Sequence, residues 1–202
     1  MNLRTELPTA ENSSNFNAVA DAATKAGTTL ENLKAAVAGE TGASAKYAAF
    51  AKAAKEQGFD QLARLWEATS AAEQIHINLE ASLVEAEDPS YTRPTAEAPT
   101  PEAIDLNLIA SASGEILETS DMYPTFIKKA QEEGHAKAVK VFTRAKLAEA
   151  VHAEKYLEAY NNIDAADDDA YYLCPGCGYI HKGDDFEKCP ICGVPKAKFQ
   201  RF

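Results

Sequence analysis

The sequence predicts an all-α protein: a four-helix bundle with one long crossover between its second and third helices, followed by a small cysteine-rich domain. Three observations carry this. Apolar residues recur at helical spacing over four long stretches, a run holding three prolines separates the second from the third, and all four cysteines fall in the last 30 residues as two Cys-x-x-Cys pairs.

Residues 1–27 are polar and alanine-rich without clear periodicity and are read as an N-terminal extension. The first helix opens at Thr28, which can form a capping box with Glu31. It carries Leu33, Val37, Tyr47 and Phe50 at helical spacing before Gly58 stops it. Asp60 is expected to cap the second helix, whose stripe holds Leu62, Trp66, Thr69, Glu73, His76 and Leu83 and ends near Asp88 and Pro89. From Pro89 to Thr100 the chain is too proline-rich and too long for a tight hairpin, which suits a crossover. Thr100 and Pro101 read as the N-cap and first residue of a third helix running to Gly134, with a bend at Pro124. The fourth helix starts near His135 and sets Phe142, Ala145, Glu149, His152 and Tyr156 on one face up to Asn161. The bundle so defined spans 28–162, and an acidic linker, 163–170, joins it to the cysteine domain, 171–202.

Composition narrows the function. With 202 residues, 46% of them hydrophobic, the chain can bury one substantial core and carry one small module. A net charge of −11 argues against nucleic acid and anionic membranes as partners, because both require a basic face. No apolar run reaches bilayer length and the N-terminus lacks the apolar stretch of a signal peptide, so a cytoplasmic protein is expected. Clustered Cys-x-x-Cys pairs fit metal ligands in a reducing compartment better than a disulfide framework.

An internal repeat relates the two helix pairs. Tyr47, Gly58, Glu73 and His76 recur 76 residues later as Tyr123, Gly134, Glu149 and His152, whereas Gly39 and Glu40 recur after 75 as Gly114 and Glu115. The third helix therefore holds one extra residue between Glu115 and Tyr123. A π-bulge is predicted there, since that is how helices absorb an insertion.

Glu73-x-x-His76 and Glu149-x-x-His152 each set a carboxylate and an imidazole on one helix face within reach of a common ion. One such motif alone is weak, because most of the 31 acidic residues belong at the surface. Here both lie on apolar stripes near mid-helix, and Glu40 and Glu115 fall at similar depth in the first and third helices. Unpaired carboxylates in a bundle core each cost on the order of several kcal/mol, so these must be protonated, paired or metal-bound. One Glu from each of two helices plus Glu-x-x-His from the other two is the ligand set of ferritin-like two-metal bundles. Symmetry makes Glu73 and Glu149 bridges and Glu40 and Glu115 terminal ligands, with His76 and His152 serving one ion each. Glu118, one turn beyond Glu115, adds a seventh ligand unless it is a solvated surface residue. The first helix has only Ala43 or Ser44 at the equivalent place, so an asymmetric site is expected. Tyr47 and Tyr123 are either ordinary core aromatics or hydrogen-bond donors to ligand carboxylates. Mixed oxygen and nitrogen ligands suit iron or manganese, and zinc can occupy such a site in isolated protein.

The C-terminal domain contains two Cys-Pro-x-Cys-Gly knuckles, Cys174 with Cys177 and Cys189 with Cys192. Four converging thiolates bind iron or zinc tetrahedrally, and the spacing alone leaves both metals open. A neighbouring redox site favours iron. His181 is expected at the surface, as four cysteines complete the site.

From about Thr28 to the C-terminus the sequence resembles the rubrerythrin family, in which a ferritin-like di-iron domain precedes a rubredoxin-like domain. The matching pieces are AVAGETGASAKYAAFA, AAEQIH, GEILETSDMYPTF, AEAVHAEKY and the CPGCG/CPICG pair. The resemblance implies a non-haem peroxidase that reduces hydrogen peroxide to water in oxidative stress defence, with two iron ions in the bundle and one in the cysteine domain. It implies electrons from NAD(P)H through separate reductases or a rubredoxin donor. It also implies a head-to-tail homodimer and a redox-linked exchange of one iron between Glu118 and His76. The helix from Glu149 to Asn161 spans about 18 Å and the linker adds up to roughly 30 Å. A chain's own cysteine domain can thus lie far from its own di-iron site, and the electron route is expected to cross a subunit interface. The N-terminal extension departs from the usual family pattern. The competing readings are a ferroxidase or iron-buffering protein, which the appended redox domain disfavours, and a zinc-stabilised interaction protein.

Overall fold

A computed structural model of the chain describes residues 24–163 and 167–202; most of the N-terminal extension and the centre of the linker lie outside the described residues. Helices α1 (Thr29–Glu56) and α2 (Asp60–Glu87) form one hairpin. Helix α3 (Ile104–Leu117), a π-helical turn (Glu118–Met122) and α4 (Tyr123–Glu132) run on as one rod that packs against α5 (Ala136–Asn161). The extra residue of the third helix is thus taken up as a π-turn, as the change of repeat offset predicts.

The helix starts differ in how their free N–H groups are satisfied. At α1 the expected capping box is present: Glu31 N–H donates to the Thr28 hydroxyl at 3.2 Å and Thr28 N–H donates to the Glu31 carboxylate at 2.7 Å. At α2 the cap is Phe59 and not Asp60, which is the first helical residue and is held by Lys55 in an ion pair at 2.5 Å. The third helix begins at Ile104 instead of Pro101. The reason is Asn107, whose side-chain amide closes back on Glu102, accepting from its N–H at 3.0 Å and donating to its carbonyl at 2.9 Å. Asn32 closes on Gly27 in the same way at the head of α1, at 2.8 and 3.4 Å. Asn32 and Asn107 are 75 residues apart, so the repeat reaches back to the helix starts.

Two aromatic layers fill the bundle. One holds Tyr47, Phe50, Trp66 and Tyr156, with Tyr47 and Tyr156 ring centres 5.5 Å apart. The other holds Leu33, Tyr123, Phe126 and Phe142, with the Phe142 ring 5.8 Å from that of Tyr123. On every rod the buried glutamates fall between these layers.

The cysteine domain is a three-stranded antiparallel sheet of order β2-β1-β3, with β1 at Tyr171–Leu173, β2 at Ile180–Lys182 and β3 at Gln200–Arg201. Tyr171, Leu173 and Ile180 join the aromatic layer of Trp66 and Tyr156, so the domain docks on its own bundle. Lys182 clamps the junction, pairing with Glu158 at 3.1 Å and with Asp167. This corrects the expectation of a distant cysteine domain. Linker reach sets only an upper limit, and apolar side chains with partners at the end of α5 bring the domain back to the bundle. Among the described residues no helix is long and apolar enough to cross a membrane.

Replacing Asn32 or Asn107 by Ala removes a two-pronged closure. Each change is expected to lower unfolding free energy by about 1–2 kcal/mol in urea titrations, while Glu97→Ala on the exposed crossover changes nothing measurable.

Candidate metal centre

The bundle brings together six of the seven carboxylates and imidazoles singled out in the sequence. Glu40 of α1, Glu73 and His76 of α2, Glu115 of α3, and Glu149 and His152 of α5 are each 0% exposed. They form two overlapping sets, Glu40 with Glu73, His76 and Glu149, and Glu73 with Glu115, Glu149 and His152; within each set the ligand-capable atoms lie within 4.8 Å of one another. Glu73 and Glu149 are common to both.

The histidine rings are oriented from outside the bundle. His76 Nε2 lies 3.0 Å from the Cys177 carbonyl and His152 Nε2 lies 2.8 Å from the Gly178 carbonyl. A carbonyl only accepts, so both imidazoles carry a proton on Nε2 and turn Nδ1 inward, where it becomes a ligand atom once its own proton is displaced. His76 Nδ1 is 2.7 Å from Glu149 and 3.0 Å from Glu73, and His152 Nδ1 is 2.7 Å from Glu149 and 3.5 Å from Glu115. His152 Nδ1, both Glu149 oxygens and one oxygen each of Glu40, Glu73 and Glu115 have no hydrogen-bond partner. Carboxylate and imidazole atoms converging in a dry core without hydrogen-bond partners fit bound cations.

Without a cation the same burial makes charge on most of these groups unfavourable. Burial, and then the charge of a neighbouring glutamate, raises the carboxyls of Glu40, Glu73 and Glu118, and pushes Glu115 up to about 8. Burial also opposes charge on Glu149, but His76 and His152 together hold it below the usual range. Tyr47 donates to Glu115 and Tyr123 donates to Glu40, and burial keeps both phenols protonated.

Residues 31–160 match the Rubrerythrin family model and residues 172–200 match the model of the rubrerythrin rubredoxin-like domain. The chain belongs to the rubrerythrin family. Nigerythrin of Nitratidesulfovibrio vulgaris is 66% identical over 202 residues, covering 100% of both chains. Rubrerythrin of the same organism is 34% identical over 184 residues, covering 87% of this chain and 95% of that one. Rubrerythrin-1 of Clostridium acetobutylicum is 33% identical over 187 residues, covering 85% and 93%. Solved structures of nigerythrin described as fully reduced (all ferrous) and as mixed-valent superpose with TM-scores of 0.90 and 0.88, each at 66% identity and covering 100% of both chains. Because the nigerythrin match runs the full length, the N-terminal extension has a counterpart there.

As a rubrerythrin-family protein the chain has a ferritin-like bundle and a rubredoxin-like domain, and its two side-chain clusters are consistent with a di-iron carboxylate site and a four-cysteine site. The four cysteines are free, with Cys174 and Cys192 sulfurs 3.3 Å apart and Cys177 and Cys189 sulfurs 3.5 Å apart. The two knuckles repeat one backbone pattern: Gly178 N–H donates to the Cys174 carbonyl at 3.1 Å and Gly193 N–H to the Cys189 carbonyl at 3.0 Å. A hydrogen bond from the Cys177 thiol holds Cys174 down to about 5, the same bond pushes Cys177 up, and burial raises Cys189 to about 11. Four thiolates together therefore require a cation. His181 pairs with Asp185 at 2.8 Å, away from the sulfurs.

Glu118 is half-buried at the start of the π-turn and belongs to neither ligand set in this conformation, in which His76 completes the Glu40 set. Sequence reasoning missed Glu80. It lies one turn beyond His76, is 0% exposed, and sits 2.9 Å from the Tyr123 hydroxyl. Burial pushes its carboxyl up to about 8 against the opposing pull of His76 and Tyr123. Its place one turn along the Glu73 and His76 stripe is too weak a signal to separate it from a solvated glutamate.

Two predictions follow from this geometry. Gly178 has φ +77 and a Cβ there would lie 2.4 Å from His76 Nε2. Gly178→Ala is expected to displace the rubredoxin-like domain and slow electron exchange between the two centres at least about tenfold, with metal content unchanged; stopped-flow absorbance checks this. For the metal-free protein, the Glu115 carboxyl is raised from 4.5 to about 8, so the folded state binds the extra proton between those values. Burial disfavours charge on His76 and His152, but Glu149 raises both above 6.5, acting in the same direction. Stability should therefore fall as pH rises from about 5 to about 8, and a urea midpoint that rises over this range contradicts the assignment.

Proposed function

We propose that this chain is a non-haem di-iron peroxidase that reduces hydrogen peroxide to water in oxidative stress defence, with electrons relayed through a tetrathiolate iron in its rubredoxin-like domain. The observation that carries this reading is the pair of hydrogen bonds from His76 and His152 to the Cys177 and Gly178 carbonyls. They join a ligand of each candidate metal set to the backbone of a cysteine knuckle. An iron-storage role has no use for that contact, and iron at the knuckle explains it better than a structural zinc.

The residues divide the work as follows. Glu73 and Glu149, common to both clusters, would serve both ions, Glu40 with His76 and Glu115 with His152 would each complete one, and Glu118 would be the residue that exchanges with His76. Cys174, Cys177, Cys189 and Cys192 hold the third ion. Iron ions in these places would supply the two electrons that cleavage of the peroxide O–O bond takes, replenished one at a time through the tetrathiolate centre. Tyr47 and Tyr123 aim the oxygens of Glu115 and Glu40 by donating to them. The aromatic layers above and below exclude water. Electrons enter from a separate NAD(P)H-linked reductase or a rubredoxin in the cytoplasm. The homodimer implied by the family is compatible with the docked domain, because exchange of domains between two chains would rebuild the same contacts between the same residues.

The test is anaerobic reduction followed by stoichiometric hydrogen peroxide, monitored at both iron chromophores. Both centres are expected to reoxidise, and a centre that stays reduced overturns the proposal. Cys174→Ser should abolish reductase-driven turnover yet leave single-turnover oxidation in the bundle. Glu149→Ala should lose both bundle ions.

A further inference from the structure

The Tyr123 hydroxyl has carboxyl oxygens on two sides. It donates to Glu40 Oε1, and Glu80 Oε1 lies 2.9 Å away. A phenol has one proton, and an ionised carboxylate can only accept. If Glu40 is ionised and receives the phenol proton, the contact with Glu80 is a hydrogen bond only if Glu80 carries a proton of its own. The surroundings agree. Glu80 is 0% exposed, and its second oxygen, Oε2, has no partner at all, a state far less costly for a neutral acid than for an anion.

The internal repeat shows that this arrangement serves one ion only. The residue 76 positions after Glu80 is Tyr156. Tyr156 bonds to Thr69, and its ring packs 5.5 Å from that of Tyr47, the phenol that donates to Glu115. Tyr47 thus has a carboxylate on one side and an aromatic ring on the other, whereas Tyr123 has a carboxyl on both.

We propose that Glu80 is a positioning residue for the Glu40 half of the site: held as a neutral carboxylic acid, it donates to the Tyr123 oxygen and thereby commits the Tyr123 proton to Glu40. This rests on the reading of Glu40 as a metal ligand. Without Glu80 the Tyr123 oxygen loses the donor on its second side, so the phenol that aims the Glu40 carboxylate is held from one side only.

The test uses the full-length chain loaded with zinc, which is redox-silent and ionises the ligand glutamates. Infrared spectra in deuterated buffer at neutral pH should show the carbonyl stretch of a buried protonated carboxylic acid in the doubly loaded bundle, and Glu80→Gln should remove it. Competition titrations should show Glu80→Leu weakening one of the two bundle ions by about 10–100-fold and leaving the other unchanged, with Glu80→Gln within about threefold of wild type because its amide still donates. A wild-type spectrum without the band, a band that survives in Glu80→Gln, or equal binding of both ions by Glu80→Leu overturns the inference. Should Glu80→Leu fail to fold, the wild-type and Glu80→Gln spectra decide. A wild-type bundle that binds fewer than two ions overturns the ligand assignment itself, and is seen before any variant is made.

Discussion

Five glutamates have no access to water, and four of them converge at the centre of the bundle, where the cost of burial governs the site. Each helical rod contributes one of them at the same height: Glu40, Glu73, Glu115 and Glu149. No lysine or arginine reaches them among the described contacts, and the two imidazoles have already given their Nε2 protons to backbone carbonyls. Short of protonating them, an ion shared between carboxylates compensates the charge, and Glu73 and Glu149 belong to both clusters that could hold one. Metal binding and folding are coupled in such a core, because ligands that repel one another when empty attract a common ion when ionised.

The same constraint explains how the second domain is tied to the first. A histidine that offers Nδ1 to a metal must place its Nε2 proton somewhere, and at this end of the bundle the acceptors are carbonyls of the Cys174–Cys177 knuckle. Gly178 makes the approach possible, since its left-handed backbone turns the carbonyl toward His152 while the missing Cβ leaves room for His76. One hydrogen-bonding arrangement therefore links the imidazole orientation, the docking of the rubredoxin-like domain and a short covalent and hydrogen-bonded route between the two ligand clusters.

The internal repeat gives the bundle its symmetry, and the departures from symmetry are where the two ligand clusters differ. The π-turn at Glu118–Met122 inserts one residue, shifts the repeat from 75 to 76 and sets Glu118 at the rim, where the first half offers no carboxylate. Glu80 stands behind Tyr123 where Tyr156 stands near Tyr47. The two ligand clusters thus share Glu73 and Glu149 but have unlike surroundings.

By itself the sequence determined the helix count, the long crossover, the two ligand-bearing motifs, the π-turn and the cysteine knuckles, because each is written in local spacing or in an offset between repeats. Glu80 was not legible, since a single acidic residue at helical spacing looks like any solvated glutamate until neighbouring helices close over it. Helix starts at Phe59 and Ile104 escaped for a similar reason: Asp60 is engaged by Lys55, and the Asn107 closure outweighs a favourable Thr-Pro pair. Only the tertiary structure decided where the cysteine domain sits and which nitrogen of each histidine faces inward, because both depend on contacts between segments about 100 or 26 residues apart, His76 with Cys177 and His152 with Gly178, which no local pattern encodes.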